Sequence, residues 1–230
     1  MLSKKIAFLF DIDNTLLDND RIVADLMCYL ERVIGHERQQ RYSMYFEQLR
    51  SELGYADYLG ALQRYRLEDP RDSHILAVSH HLIDYPFANR LFPNSLDVVE
   101  HARRLGEPVI VSDGDVVFQP LKIRRSGLMD AFDGRVQIYV HKERELDDIV
   151  ARYRADHYVF IDDKVRILAS VKDVWNPRVT TVFPRQGHYA MDEKEVVKYR
   201  PPDLTIEHIA ALLDYDLSTL ISAASLSSTD

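Results

Sequence analysis

Residues 6–16 read IAFLFDIDNTL, an apolar run that ends abruptly in two aspartates one residue apart. Five consecutive apolar residues are too few for a comfortable helix, but they suit a central strand of a parallel sheet covered on both faces. Asp11 and Asp13 then lie where the strand ends, and ligands of open α/β sheets bind beyond the carboxyl ends of the strands. The pair therefore marks a candidate site, although an Asp/Asn turn that caps a helix would use the same residue types.

The remaining chain supplies the other elements of such a sheet. Apolar residues recur at helical spacing in four successive segments, which predicts an all-helical insert at 18–88: 22–34, 39–53, 58–67 and 73–83. Beyond Pro86 the two kinds of element alternate, with strands expected at 108–111, 136–140, 158–161 and 179–182 and helices at 95–105, 117–127, 143–155 and 204–213. This alternation predicts an α/β fold, a doubly wound parallel sheet with right-handed crossovers. Its core would comprise 1–17 and 89–216, followed by a frayed tail at 217–230.

The composition of the 230 residues limits the classes of function. Hydrophobic residues make up 46% and charged residues 29%, which is typical of a folded, soluble protein. A net charge of −8 disfavours a nucleic-acid partner but not a small anionic substrate held by a few local cations. The single cysteine, Cys28, cannot form an internal disulfide and is expected to be a buried thiol in a reducing compartment. With no membrane-length apolar stretch and no signal peptide, we expect a cytoplasmic protein without a membrane partner.

Polar side chains also follow three further strands of the expected sheet. Ser112 comes at the end of the second strand, Lys142 just beyond the third, and Asp162 and Asp163 directly after the fourth. Taken singly, such a serine is more often a turn or helix-cap residue, such a lysine a solvated surface residue, and such an aspartate pair a helix cap. Their occurrence in order at strand ends favours one shared site with the two aspartates of the first strand.

These four sets of residues resemble the four motifs of the haloacid dehalogenase superfamily. In order they read DIDNTL (11–16), VIVSDG (109–114), HKE (141–143) and FIDD (160–163). The resemblance spans about residues 4–215, and it implies a Rossmann-like core with a type 1 helical cap domain formed by the insert. It also implies phosphate chemistry, because haloacid dehalogenases lack an acid at the position of Asp13.

Residue chemistry and resemblance together predict a phosphatase. Asp11 would attack phosphorus and form an aspartyl-phosphate that water later hydrolyses. Asp13 would protonate the leaving oxygen and then deprotonate the water, which needs a pKa raised by crowded neighbouring carboxylates. Lys142 would neutralise one phosphoryl oxygen and orient Asp11, and the Ser112 hydroxyl would donate to another. The expected phosphate-binding set is therefore Ser112, Asp113 and Lys142.

A metal ion is expected as well, because a phosphate dianion cannot approach a carboxylate unaided. Mg²⁺ fits, since it is a hard cation that binds carboxylates together with substrate phosphate. The expected ligand set is Asp11, Asp13 (through its carbonyl, as the resemblance implies), Asp162 and Asp163, with the choice between the last two left open.

The substrate would be a small phosphorylated metabolite, bound by a monomer or homodimer. Insert residues would contact its leaving group, and the candidates are Arg21, Arg64, Arg66, His80 and His81. Most long cationic side chains of this kind lie on solvated helix faces instead.

Several residues depart from the family's motifs. Asn14 and Glu143 stand where glycine and proline are common, and Ile167 stands where the fourth motif often has an acid. Asp113 and Asp115 add negative charge near the expected phosphate. These departures keep a non-catalytic binding or regulatory module open as an alternative, with a sugar phosphomutase less favoured.

Overall fold

The computed structural model of the protein describes residues 5–217 and contains a six-stranded parallel sheet. Its strands are β1 (Ile6–Phe10), β2 (Glu107–Asp113), β3 (Val136–Tyr139), β4 (His157–Ile161), β5 (Val179–Pro184) and β6 (Leu204–Ile206). Their order across the sheet is β3-β2-β1-β4-β5-β6, so the chain winds outward from β1 first in one direction and then in the other. The predicted doubly wound α/β fold is confirmed, and the carboxyl end of β1 lies at the switch point where such folds bind ligands.

Alternate residues of β1 pack into two separate cores, one on each face of the sheet. Phe8 and Phe10 belong to the core that includes the insert, whereas Ala7 and Leu9 belong to the opposite core. All four side chains are buried. A strand that is covered on both faces has no polar positions, and this explains why the sequence reads as an unbroken apolar run.

Four helices occupy the insert between β1 and β2: α1 (Asn19–Ile34), α2 (His36–Leu53), α3 (Tyr58–Glu68) and α4 (Ile75–Asp84). They agree with the four predicted segments to within a few residues. The Asp18 side chain caps α1 by accepting a hydrogen bond from the backbone N–H of Arg21 at 2.9 Å. Helix α1 turns its apolar stripe inward but leaves Cys28 exposed, so the prediction of a buried thiol is wrong. The cysteine lies between the buried positions Leu26 and Leu30, on the solvent side of the helix.

The remaining helices pack against the sheet: α5 (Ser95–Arg103), α6 (Phe118–Arg125), α7 (Leu128–Ala131), α8 (Leu146–Arg152), α9 (Val165–Trp175), α10 (Gly187–Met191) and α11 (Glu193–Val196). Short 3₁₀ turns add Phe87–Arg90, Lys142–Arg144 and Ile209–Asp214. The sequence predicts no helix or strand between 182 and 204, the stretch in which α10 and α11 occur.

The prediction of a last helix at 204–213 is wrong. Leu204–Ile206 forms the edge strand β6, which pairs in parallel with β5, and only Ile209–Asp214 is helical, as a 3₁₀ turn. Ile206, Ile209 and Leu212 are all buried, and their spacing of three imitates the apolar stripe of a helix. Of the expected frayed tail, Leu217 is described and buried, and the rest lies outside the described residues.

A helix long and apolar enough to span a membrane is absent from residues 5–217.

Candidate active site at the carboxyl end of the sheet

Asp11 lies directly beyond β1 and is 3% exposed. Its backbone N–H donates to the Ile161 carbonyl at 2.9 Å, which extends the pairing of β1 with β4 by one residue. Lys142, which is fully buried after β3, donates from Nζ to Asp11 Oδ1 and to the Val111 carbonyl, and lies 2.6 Å from Asp162 Oδ2. Burial would lower the pKa of Lys142, but the carboxylates of Asp11 and Asp162 more than offset it and raise that pKa. Asp11, the candidate nucleophile, is therefore held in place by a lysine that stays protonated.

Asp162 and Asp163 follow β4 but have different surroundings. Asp162 Oδ1 accepts a hydrogen bond from the backbone N–H of Lys164 at 2.8 Å, and its other oxygen faces Lys142. Both carboxylate oxygens of Asp163 are buried and have no hydrogen-bond partner among the described residues. Burial raises the pKa of Asp162 to about 6 and that of Asp163 well above its usual range. Of the two carboxylates, Asp163 therefore has the greater need of an additional cation.

The three buried carboxylates form a compact acidic cluster. One oxygen from each of Asp11, Asp162 and Asp163 can be chosen so that all lie within 4.8 Å of one another. Thr15 links two of them, because its hydroxyl accepts from the Asp163 backbone N–H at 3.1 Å and donates to Asp11 Oδ2 at 3.4 Å. A hard, oxygen-liganded cation fits this donor set, and the unpartnered oxygens of Asp163 are the observation that supports it.

Asp13 lies two residues further on, but its partner is a lysine. Lys122 Nζ of helix α6 is 2.5 Å from Asp13 Oδ1, and Gln119 Nε2 of the same helix is 3.4 Å from Oδ2. The sequence predicts carboxylate crowding around Asp13, whereas the charged group that the structure places against its Oδ1 is a lysine. The crowded carboxylates are those of Asp11, Asp162 and Asp163, because the Asp13 side chain points toward α6.

Ser112 and Asp113 end strand β2 beside these groups. Ser112 is 1% exposed, and its hydroxyl accepts a hydrogen bond from Gln119 Nε2 at 2.9 Å. Asp113 Oδ1 accepts from the backbone N–H of Lys142 at 2.8 Å, so its carboxylate positions the turn that carries the lysine. The predicted phosphate contacts of Ser112, Asp113 and Lys142 remain a prediction. The structure brings the three residues together next to Asp11.

The unusual residues of the motifs have structural roles. Asn14 has φ 60°, a left-handed conformation that asparagine tolerates better than most residues, which explains its presence at a position where glycine is common. Asp115 Oδ1 accepts from the backbone N–H groups of Val117 and Phe118, so it caps the start of α6. Glu143 forms an ion pair with Arg166 at 2.6 Å. Asp115 is therefore engaged by backbone N–H groups, and Glu143 by an arginine.

A cavity of about 580 Å³ connects the carboxyl end of the sheet with the insert. From the sheet side it is lined by Asp13, Asp113, Gln119, Lys122, Asp163 and Lys164, and from the insert by Asn19, Asp20, Phe46, Arg50, Tyr55 and Tyr58, among others. None of the five predicted leaving-group contacts lines it within residues 5–217; they are Arg21, Arg64, Arg66, His80 and His81. The insert's cation at this cavity is Arg50, on the last turn of α2.

Helix α10 closes one side of the cavity. His188 contacts Asp20 of α1 through its backbone N–H at 2.7 Å and its Nδ1 at 2.6 Å. Two cations approach the ring of the next residue, Tyr189: Arg50 of the insert, with Cζ 5.5 Å from the ring centroid, and Lys164 of the core, with Nζ at 5.0 Å. Helix α10, which the sequence does not predict, thus joins the insert to the core at the site.

The family model described as haloacid dehalogenase-like hydrolase matches residues 7–174, a span that contains every site residue named from the sequence. The chain belongs to the haloacid dehalogenase-like hydrolases. No curated protein matches the chain.

Solved structures of this family resemble the hydrolase over nearly its whole length. A chain from Burkholderia xenovorans LB400, described as haloacid dehalogenase-like, is 56% identical, covers 94% of this chain and 99% of its own, and has a TM-score of 0.89. YfnB from Bacillus subtilis, solved bound to magnesium, is 16% identical, with coverages of 92% and 98% and a TM-score of 0.60. L-2-haloacid dehalogenase from Xanthobacter autotrophicus is also 16% identical, with coverages of 92% and 97% and a TM-score of 0.57. The last two similarities establish the fold alone.

Three residues of this hydrolase's site escape the sequence prediction: Thr15, Gln119 and Lys122. Thr15 follows the first motif, and its spacing of four from Asp11 could have suggested a contact. Gln119 and Lys122 are three residues apart and therefore share a face of α6, but only the fold shows that this face is turned toward the aspartates.

Proposed function

We propose that this hydrolase is a Mg²⁺-dependent phosphatase that acts on a small phosphorylated metabolite through an aspartyl-phosphate at Asp11. The observation that carries the proposal is the position of Asp13, whose carboxylate lines the cavity two residues beyond the buried nucleophile candidate. Hydrolysis of a phosphate ester needs a group there that can give and take a proton, whereas displacement of a halide needs none.

In the first step, an oxygen of Asp11 attacks phosphorus as the bond between phosphorus and the leaving oxygen breaks. Lys142 holds Asp11 Oδ1 and Thr15 faces Oδ2, so the carboxylate has a fixed orientation at the end of β1. Asp13 passes to the leaving oxygen the proton that it shares with the Lys122 ammonium group, whose Nζ is 2.5 Å from Asp13 Oδ1, and the leaving group departs as an alcohol. Ser112 and Lys142 offer a hydroxyl and an ammonium group to the phosphoryl oxygens.

In the second step, water attacks the phosphorus of the aspartyl-phosphate and the bond from phosphorus to Asp11 breaks. Asp13 takes a proton from that water, which restores the starting state and releases inorganic phosphate. The same residue acts as acid and then as base because the second step reverses the proton demand of the first.

Asp11 and Asp163 would supply side-chain ligands to the metal ion. We assign the ligand role to Asp163 rather than Asp162, because Asp163 has two free oxygens while Asp162 is engaged by Lys142 and the backbone of Lys164. The Asp13 carbonyl completes the proposed set. When bound, the ion neutralises charge between the phosphate and the carboxylates.

We further propose that the helical insert, residues 18–88, is a cap domain that selects the leaving group. Its support is the cavity wall, to which the insert contributes Phe46, Arg50 and Tyr55. Closure of such a domain would exclude water from the reacting groups.

The test is an assay of purified protein with Mg²⁺ against a panel of phosphate monoesters and, in parallel, 2-chloropropionate. We expect phosphate release from at least one ester, no chloride release, and loss of activity in Asp11→Asn. Chloride release without phosphate release would replace the proposal with a dehalogenase. Absence of both would favour a non-catalytic module.

A further inference from the structure

We propose that Lys122 is a positioning residue that holds the carboxylate of Asp13 in its working orientation, assisted by Gln119. This inference rests on the proposed phosphatase function, because it concerns the residue that would transfer the proton. Neither residue belongs to the four motifs that resemble the family.

The first observation is the burial of Lys122. The residue is 1% exposed, and its Nζ is 2.5 Å from Asp13 Oδ1 and 3.4 Å from Asn19 Oδ1. Asp13 is its sole carboxylate partner within 4 Å among the ion pairs of residues 5–217. A buried ammonium group is costly unless it is paired and hydrogen-bonded, so the fold keeps this lysine where only Asp13 can neutralise it.

The second observation is the position of Gln119, one helical turn earlier on α6. Its Nε2 donates to Ser112 Oγ at 2.9 Å and lies 3.4 Å from Asp13 Oδ2. The side chain has little freedom, because it is 4% exposed and its Cβ and Cγ approach Gly114 so closely that an added Cβ there would lie 3.0 Å from each. One rigid amide therefore ties Asp13 to the residue expected to contact phosphate.

Together, the two donors of α6 face the two oxygens of one carboxylate. A side chain that is fixed at both oxygens cannot rotate away from the substrate, whereas an aspartate in a loop otherwise can. Proton transfer needs the donor and acceptor atoms within hydrogen-bond reach, and a displacement of about 1 Å can cost roughly 10²-fold in rate. The structure thus assigns α6 a function in the reaction besides its place in the core.

The experiment compares Lys122→Met with Lys172→Met. Lys172 is a matched control, because it is also buried and ion-paired, with Nζ 2.7 Å from Asp203 Oδ2. Wild type and both variants are assayed with p-nitrophenyl phosphate, which has a good leaving group, and phenyl phosphate, which has a poor one. Thermal melting and circular dichroism establish that each variant folds.

We expect Lys122→Met to lower kcat/KM, which reports the steps up to departure of the leaving group, by about 10²-fold for phenyl phosphate but by less than about 10-fold for p-nitrophenyl phosphate. A poor leaving group needs the proton, and a good one does not. Lys172→Met should melt at a lower temperature but keep the wild-type ratio of the two rates. In an Asp13→Asn background, Lys122→Met should add little further loss.

Other results overturn the inference. Equal losses of kcat/KM for both substrates would indicate a purely structural role, and equal losses that come from a raised KM with unchanged kcat would mean that Lys122 contacts the substrate itself. If Lys122→Met does not fold, Gln119→Met is assayed instead. Its kcat/KM should fall by about 10-fold for phenyl phosphate and stay unchanged for p-nitrophenyl phosphate. A wild type that hydrolyses no ester refutes the proposed function and the inference with it, whereas an active wild type with an unaltered leaving-group ratio in the variants refutes only the inference.

Discussion

Replacing Asp163 by asparagine should make the metal-free protein more stable. Both carboxylate oxygens of Asp163 are buried without a hydrogen-bond partner among the described residues, and the carboxylates of Asp11 and Asp162 are close by. The change to an amide keeps the size and shape of the side chain and removes one buried negative charge, which Lys164 offsets only in part. The residue therefore lowers the stability of the metal-free protein, and metal binding would relieve this cost.

The size of the effect follows from the burial. An unsatisfied buried polar group costs about 1–3 kcal/mol, and a charged one costs more. Because asparagine still buries an amide, we expect a net gain of about 2 kcal/mol for Asp163→Asn. In a chain of this length, 1 kcal/mol corresponds to about 2–4 °C in Tm, so the variant should melt about 4–8 °C higher.

The gain should depend on pH. Burial raises the pKa of Asp163 well above its usual range, so the folded state binds a proton that the unfolded chain has already lost. The stability associated with that proton is present below the unfolded pKa and disappears as the pH rises through the folded one. The Tm difference between variant and wild type should therefore be small in acid and grow toward pH 8. Differential scanning calorimetry in EDTA at several pH values measures it.

Asp162→Asn is the control, because it removes a partner of Lys142 from the same cluster. It should lower Tm, since the buried lysine loses part of its compensation. Saturating Mg²⁺, at about 100 times Kd, should stabilise wild type by about 2.7 kcal/mol and Asp163→Asn by much less. A lower Tm for Asp163→Asn in EDTA, or equal stabilisation of both proteins by Mg²⁺, would refute the reasoning.

Three further predictions concern other residues. Lys142→Met should reduce kcat at least 10²-fold in a phosphatase assay, because Asp11 loses its cation; near-normal turnover would contradict this. Burial lowers the pKa of His81, so the stability that its neutral ring contributes is present above the unfolded pKa and is lost as the pH falls through the folded pKa. The Tm of His81→Phe should therefore fall less in acid than that of wild type. An equal fall in Tm for both proteins would contradict the lowered pKa. Gly187→Ala should lower the free energy of unfolding measured in urea, because a Cβ there would lie 2.4 Å from the Asn14 side chain. An unchanged free energy of unfolding would show that the backbone around residue 187 can shift to make room for the methyl group.

The parts of the fold that sequence predicts well are those buried on both faces. Strand β1 and residues 158–161 of strand β4 are continuous apolar runs between two cores, so no amphipathic pattern confuses their assignment. The same runs end in aspartates, and parallel pairing brings those ends to one edge of the sheet. The cluster of Asp11, Asp162 and Asp163 can therefore be predicted from the strand assignment alone.

Sequence-based prediction fails for an edge strand or a polar side chain whose conformation depends on contacts with residues far away in the sequence. Leu204–Ile206 is too short to show a period of its own, and its apolar residues continue into the 3₁₀ turn at helical spacing. A lysine in a helix usually indicates a solvated face, yet Lys122 is buried because the Asp13 carboxylate lies 109 residues earlier in the chain and close in space. No local pattern contains that contact.

The most direct test of the central claim is to trap the intermediate. Wild type and Asp13→Asn are mixed with Mg²⁺ and p-nitrophenyl phosphate, whose leaving group needs no proton, quenched in acid within the first turnover, and digested for mass spectrometry. We predict a single phosphoryl group on Asp11, which accumulates in Asp13→Asn because water is no longer activated. Steady turnover with no phosphoryl group on Asp11, or a phosphoryl group on another residue, would contradict the account.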